Sequence, residues 1–313
     1  MEFALQVSGD YETLLDAARF AEDYGLVAFA LPDHYLMALD EEEAKTAPAN
    51  DAFAQLGGLA RDTQGVELVV LVSPITFRHP AVLAKMAITL DNMSGGRFTL
   101  GIGTGWMDRE HEVFGIDYPE MSQRFEMMEE ALAYVRAAAD PASPGYAGLR
   151  YRLEPFPISP PPARPLRLLV GGTGMHKTPR LAGAFADEFN AYPGPDLAGR
   201  LDRARAAATE AGRDGNAILM STSGQVVGAD DEAELEDKLN TWAEEAGMSR
   251  ERLDELLARR NSPVGTWEQI AERFEEWSAA GITRFYLQSR WDPEETPAMI
   301  DRLGGGDPYS SGP

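Results

Sequence analysis

The feature that most constrains this chain is a unit repeated along it: a short apolar run ending in Gly, Ser or Asp, followed by a segment of helical periodicity. The runs are Phe3 to Val7, Leu26 to Leu31, Val66 to Val72, Phe98 to Ile102, Leu166 to Val170, Glu188 to Ala191, Ile218 to Met220 with Gln225 to Val227, and Arg284 to Leu287. There are eight. Strand-length runs that are apolar throughout mark parallel strands buried on both faces, and alternation with helices marks βαβ units. Tyr11 to Tyr24 sets Leu14, Leu15, Ala18 and Ala21 on one face and stops at Gly25, and Ser122 is placed to cap a helix carrying Phe125, Met128, Leu132 and Val135. Similar patterns cover Ala81 to Met93, Leu197 to Ala211, Glu232 to Ala246 and Trp267 to Ala280. Eight such units in 313 residues predict an α/β protein, a single (β/α)8 barrel domain over residues 1–303, since ~250 residues plus insertions is typical of that architecture. An open doubly wound sheet is the alternative.

Two stretches break the repeat and are expected to be insertions. Residues 34–50 include the acidic run Asp40 to Glu43, expected to be a solvated turn, and residues 140–165 hold eight prolines, which exclude helix and central strand. The second is equally a lid or a plain excursion. The tail, residues 304–313, is expected to fray.

Composition narrows the partners. Fifty-one Asp and Glu against 28 Lys and Arg give a net charge of −23, which repels nucleic acid phosphates and anionic membrane surfaces. There is no Cys, which removes disulfides, thiolate nucleophiles and Cys-ligated metal. The N-terminus lacks the charged and apolar regions of a signal peptide, and no run approaches the ~18 apolar residues of a membrane span, so a cytoplasmic location is expected.

In a (β/α)8 barrel the chemistry sits at the C-terminal ends of the strands. The second strand ends in Pro32-Asp33-His34-Tyr35. Imidazole, with an unperturbed pKa of ~6.5, serves as acid and base near neutrality, and an adjacent carboxylate orients it. His34 is therefore the leading candidate, with Asp33 as its orienting group. His79 precedes Pro80 and is expected to start a helix; His111 lies in the charged run Asp108 to Glu112, which reads as a solvated face. No histidine or carboxylate spacing fits a metal site, and none is expected. The fourth strand ends in Gly101-Ile102-Gly103-Thr104-Gly105-Trp106, glycines that allow close approach of a ligand beside an aromatic wall. The fifth ends in Gly171-Gly172-Thr173-Gly174-Met175-His176-Lys177-Thr178 and enters a helix, which offers amides and a Lys to a phosphate; a tight turn with no ligand is the rival reading.

Three ordered blocks resemble luciferase-like flavin and deazaflavin oxidoreductases. They are Leu71 to Pro74 with Arg78 to Lys85 and Leu90 to Trp106; Gly171 to Gly174 through Arg180 to Asn190; and Val264 to Thr266 with Gln269 to Phe274 and Gly281 to Gln288. The resemblance implies a barrel of the bacterial-luciferase type. It places a cofactor against Asp33, Ser73, Thr104, Gly105, Trp106 and the turn Gly171, Gly172, Thr173, Gly174, Lys177 and Thr178, with His34 facing the substrate. It also places a non-prolyl cis peptide near Leu71 to Ser73, and a homodimer. Where FMN-using luciferases carry an Arg for the flavin phosphate, this chain has Thr104, which favours coenzyme F420 over FMN. Sugar-phosphate dehydrogenases of the family have a Trp at the place of Ala38 and a Glu at that of Trp106, which argues against a sugar phosphate here. The expected activity is hydride transfer between F420 and a small organic substrate, with His34 as general acid or base. The rivals are an FMN-dependent monooxygenase that activates O₂ and a binding protein without turnover.

Overall fold

Eight parallel strands close on themselves in the computed structural model, each paired with the next in sequence and the last with the first. They are β1 (Glu2–Val7), β2 (Ala28–Leu31), β3 (Glu67–Pro74), β4 (Phe98–Gly103), β5 (Arg167–Gly172), β6 (Glu188–Ala191), β7 (Leu219–Gly224) and β8 (Arg284–Ser289). The structure describes residues 1–37, 45 and 47–304. The acidic run of the first insertion, Ala38 and nearly all of the tail lie outside the described residues. The helices are α1 (Tyr11–Asp23), α2 (Ala52–Asp62), α3 (Pro80–Ser94), α4 (Asp108–Phe114), α5 (Met121–Ala139), α6 (Lys177–Phe185), α7 (Leu197–Glu210), α8 (Glu232–Glu245), α9 (Arg250–Arg260), α10 (Trp267–Ala280) and α11 (Glu295–Arg302). This is the expected (β/α)8 barrel, not the open sheet.

The strands read as continuous apolar runs because alternate residues enter different apolar layers. Leu5, Phe29, Leu31, Leu68, Val70, Leu100, Ile102, Leu168, Val170, Phe189, Phe285 and Leu287 pack outward under the helices. Ala4, Ala28, Ala30, Val69, Leu71, Leu169 and Tyr286 fill the interior. Below that layer, Arg284 Nη1 meets Glu67 at 3.0 Å and Glu188 at 3.2 Å, and its Nε meets Glu2 at 3.1 Å. Above it the lining turns polar: Gln6 donates to Leu71 O at 2.8 Å, Gln288 donates to Gln6 at 2.8 Å, and Asn190 bonds Ser221 and Ser223 at 3.0 and 3.2 Å. The barrel is thus plugged at its N-terminal end and polar at the end where the strands finish.

Several details differ from the sequence-based expectations. Val227–Ala229 is a separate short strand that pairs with Val264–Thr266 outside the barrel, where the sequence joined it to the seventh strand. Ser122 lies inside α5, whose N-cap is Glu120 with no side-chain bond. His79 caps α3 as expected, accepting from Ala81 N at 3.1 Å. The proline-rich insertion leaves at the N-terminal side after α5 and climbs the outer surface, where a short hairpin pairs Tyr146–Ala147 with Arg152–Leu153. Tyr151 packs against His79, Arg150 pairs with Glu126 at 2.9 Å, and Lys85 and Asn92 of α3 donate to Ser159 O and Pro161 O. These contacts make it an excursion rather than a lid.

Candidate active site

His34 follows β2 at the polar end of the barrel, and its ring is positioned by α4. Its Nδ1 lies 3.0 Å from Glu110 Oε1 and 3.3 Å from Oε2, and the same carboxylate accepts from Tyr35 N at 3.0 Å and Leu36 N at 3.4 Å. Glu110 is 1% exposed. A carboxylate can only accept, so Nδ1 carries the proton and Nε2, bonded to nothing among the described residues, presents its lone pair. The Trp106 indole meets the His34 ring edge-on at 5.6 Å and is itself 65% exposed.

Asp33 does not orient His34, as the sequence led us to expect. Ser73 donates to Asp33 at 2.7 Å, and Arg78 bonds both its oxygens while its Nη2 also holds Asp51 at 2.6 Å. Burial pushes the Asp33 carboxyl up from its ordinary value, against the opposing pull of Arg78 and Ser73. The inner part of this group is closed off: Asp33 and Ser73 are buried, and the guanidinium lies over the Phe53 ring at 4.6 Å, while Asp51 stays open to solvent. Ser73 therefore offers its hydroxyl to this network rather than to the mouth. Tyr35 stacks on Phe77 at 4.4 Å above it.

The charged run around His111 is likewise not a solvated face. Glu110 and His111 are both 1% exposed, while Val113 and Phe114 on the same helix face out. His111 bonds Met107 O at 2.7 Å and Thr76 Oγ1 at 2.6 Å, fixing α4 to the loop after β3.

The glycines of β4 and β5 also serve the barrel itself. A Cβ on Gly101, Gly103 or Gly171 would fall 2.9, 2.7 or 2.9 Å from a methyl of Val72. The pairing of β3 with β4 slips between Val70 and Ser73, and the Leu71–Val72 peptide is cis, within the stretch anticipated. Those glycines make room for Val72 and, at Gly101, for the Val70 carbonyl as well. Gly105, at φ +78, does require the freedom of glycine, and Thr104 and Gly105 turn their carbonyls to Arg124 at 3.2 and 2.6 Å.

In the turn after β5, Thr173, Met175, His176 and Lys177 are exposed, whereas Thr178 is buried beneath Gly172 and Gly174. The amides of Gly174, Met175 and His176 donate to nothing among the described residues. Lys177 lies over the Phe125 ring at 5.3 Å, and Arg180 is committed to Glu129 through bonds of 3.0 and 2.6 Å. Among the described residues no cluster of three or more His, Asp or Glu side chains could hold a metal, and no helix is long and apolar enough to cross a membrane.

Residues 3–284 match the family profile described as luciferase-like monooxygenase. The chain belongs to that family. It is 33% identical over 292 residues to an F420-dependent glucose-6-phosphate dehydrogenase of Nakamurella multipartita, a match covering 93% of this chain and 75% of the relative. A Microbacterium testaceum enzyme of the same name is 31% identical over 185 residues, and there the match spans about half the relative, 53%. A pyrimidine monooxygenase RutA of Escherichia coli is 27% identical over 249 residues, 74% of this chain and 64% of that one. Among solved structures, an F420-dependent secondary alcohol dehydrogenase superposes with a TM-score of 0.78 at 20% identity over 98% of this chain and 99% of that one. An EDTA monooxygenase from Chelativorans sp. BNC1 gives 0.79 at 18%, covering 97% and 92%. At those identities the likeness concerns the fold. Enzymes named as F420-dependent and enzymes named as monooxygenases are thus both similar to this chain.

Sequence reading missed Glu110 and the polar rim of Gln6, Asn190, Ser223 and Gln288. The rim had a legible signal: Gln6, Asn190 and Gln288 each interrupt an apolar strand near its C-terminal end. Glu110 had a weaker one, a helix whose apolar residues do not face the core.

Proposed function

We propose that this luciferase-like protein transfers a hydride between coenzyme F420 and a small organic substrate, with His34 moving the accompanying proton. The observation that carries the reading is the His34–Glu110 pair, an imidazole whose Nδ1 is tied to a buried carboxylate while Nε2 is left for a reacting group. When bound, the deazaflavin supplies hydride transfer at C5, where a carbon in place of nitrogen disfavours oxygen chemistry. The residues present fit such a group: unsatisfied amides at Gly174 to His176 suit a phosphate, and the half-buried Thr104 adds no charge where FMN-using relatives are expected to have one.

In the direction of substrate oxidation, Nε2 would accept the hydroxyl proton as the carbon bearing that hydroxyl gives its hydride to the oxidised coenzyme and becomes a carbonyl. In the reverse direction the imidazolium returns that proton. Glu110 holds the ring in the tautomer that permits both, and Trp106 gives the site an apolar wall. That wall, and the commitment of Arg78 to Asp33 and Asp51, favour an uncharged substrate over a sugar phosphate. A homodimeric assembly and a cytoplasmic location complete the reading, and light scattering on the purified chain tests the first.

The deciding experiment titrates the purified protein with F420 and with FMN while oxygen uptake is followed. F420 binding without oxygen uptake supports the proposal. Tight FMN binding with substrate-stimulated oxygen consumption overturns it in favour of a monooxygenase, and F420 binding with no turnover across an alcohol and aldehyde panel reduces the protein to a carrier.

A further inference from the structure

Three arginines are buried among the described residues: Arg124, Arg200 and Arg284. Arg284, in the plug, is met by Glu2, Glu67 and Glu188. The other two have no carboxylate within ion-pair distance among the described residues and are bound by main-chain carbonyls. Arg124 donates to Pro119 O at 3.0 Å, Thr104 O at 3.2 Å and Gly105 O at 2.6 Å, beneath the Tyr118 ring at 3.9 Å. Arg200, 1% exposed, donates to Tyr192 O at 2.5 Å and Thr173 O at 3.4 Å, and its Nε has no partner among the described residues. Asp196 close by is taken by Arg203 at 2.7 Å. A buried guanidinium whose nearest carboxylate lies beyond ion-pair distance is costly, so two of them behind neighbouring loops of one barrel end need an explanation.

The loops they brace are those after β4 and β5. In a planar trans peptide the C=O and the following N–H point in opposite directions. Drawing Thr104 O and Gly105 O toward Arg124 therefore turns the amides of Gly105 and Trp106 the other way. Drawing Thr173 O toward Arg200, and Met175 O toward Arg203 at 2.8 Å, does the same for Gly174 and His176. None of these four amides has an acceptor among the described residues. A guanidinium on the carbonyl end of a peptide also strengthens its N–H as a donor. The result is two sets of outward amides with a cation behind each, next to the N-terminus of α6.

We infer that Arg124 and Arg200 are positioning and charge-balancing residues, which aim the amides of the loops 104–106 and 173–176 at the phosphoryl group of the cofactor proposed above. This rests on the cofactor reading above, whose phosphate is the occupant. It also accounts for how a chain of net charge −23 accepts an anionic cofactor when Arg180 is neutralised by Glu129: the compensating charge lies beneath the mouth, not on its surface.

The test compares FMN with riboflavin, which differ by the phosphate alone, and F420 with 8-hydroxy-5-deazariboflavin, which lacks the phosphodiester and the tail it carries. Fluorescence titration would be done on wild type, Arg200→Met, Arg200→Lys and Arg124→Met. The expected result is that Arg200→Met and Arg124→Met each lower the preference for the phosphorylated partner by roughly 10- to 100-fold while the phosphate-free ligand binds within about threefold of wild type. Arg200→Lys, which keeps the charge, should restore part of that preference. Equal losses for both ligands would mean that the arginines only hold the loops, and no loss for either would mean that they face no anion; either outcome overturns the inference. Should Arg200→Met fail to fold, Arg200→Lys and Arg124→Met are judged by the same ratio. Wild-type protein that binds none of the four ligands overturns the cofactor reading and this inference together, whereas wild type that binds F420 or FMN with the same preference as the variants overturns the inference alone.

Discussion

Replacing Glu110 by Gln isolates the one hydrogen bond on which the chemistry of His34 depends. The Glu110 carboxylate accepts from three donors, His34 Nδ1 and the amides of Tyr35 and Leu36. The two amides cannot reverse, so the single oxygen of Gln must stay with them and its NH₂ must face the ring. Nδ1 then has to accept, and the proton moves to Nε2, the nitrogen that presents a lone pair in the wild type. A hydrogen bond to a charged group contributes ~1.5–3 kcal/mol, which at ~1.4 kcal/mol per decade sets the tautomer preference at roughly 10- to 150-fold in either direction. Long-range ¹H–¹⁵N correlation spectra report which imidazole nitrogen carries the proton, and they need neither substrate nor cofactor. Recorded two pH units above the ordinary imidazole range, the His34 signal should show protonated Nδ1 in wild type and protonated Nε2 in Glu110→Gln. Oxidation of substrate should fall by about 10²–10⁴-fold, the usual worth of a general base. An unchanged tautomer in the variant would refute the assignment of Glu110 as the group that sets it.

His34→Ala should lose about 10²–10⁴-fold in turnover while cofactor affinity stays near wild type; lost affinity with normal turnover would contradict the role. Gly103→Ala places a Cβ 2.7 Å from Val72 Cγ2 and should destabilise by ~1–3 kcal/mol in denaturant titration, a loss that adding Val72→Ala largely reverses. Burial raises the Glu188 carboxyl above its ordinary value of 4.5, so its contribution to stability is complete below that pH and is lost as pH rises through the folded-state value. The stability of Glu188→Gln relative to wild type should accordingly improve with rising pH across that window, and a flat or inverted difference would show that Arg284 keeps Glu188 ionised.

How far the site was legible depended on which face each residue serves. The barrel strands were readable because parallel strands buried on both sides are apolar at every position, and Leu68 to Val70 or Leu168 to Val170 leave little room for another reading. His34 was readable because a strand end locates it. Asp33 misled because adjacency in sequence carries no information about where a side chain points, and consecutive residues here face different partners. Helix α4 misled because its amphipathicity is inverted: Glu110 and His111 point in, whereas Val113 and Phe114 point out. Arg200 is hard to read from the sequence for a related reason. It sits three residues from Leu197 and one from Leu201 on the buried side of α7, and a lone Arg on an otherwise apolar stripe was the available sign.

The short strand pair outside the barrel has a consequence for how the chain is assembled. The segment between β7 and β8 pairs Val227–Ala229 with Val264–Thr266 and carries α8 and α9, whose Leu235, Leu239, Ala243, Leu253 and Leu257 form a cluster apart from the main core. A connection this long would ordinarily slow the return of the chain to the sheet, because loop closure precedes the contacts that reward it. Here most of the intervening residues are ordered locally, so the span that must be closed is shorter than the sequence distance implies. The same autonomy makes this segment a candidate for opening on its own in hydrogen exchange, leaving the barrel and the His34 end intact.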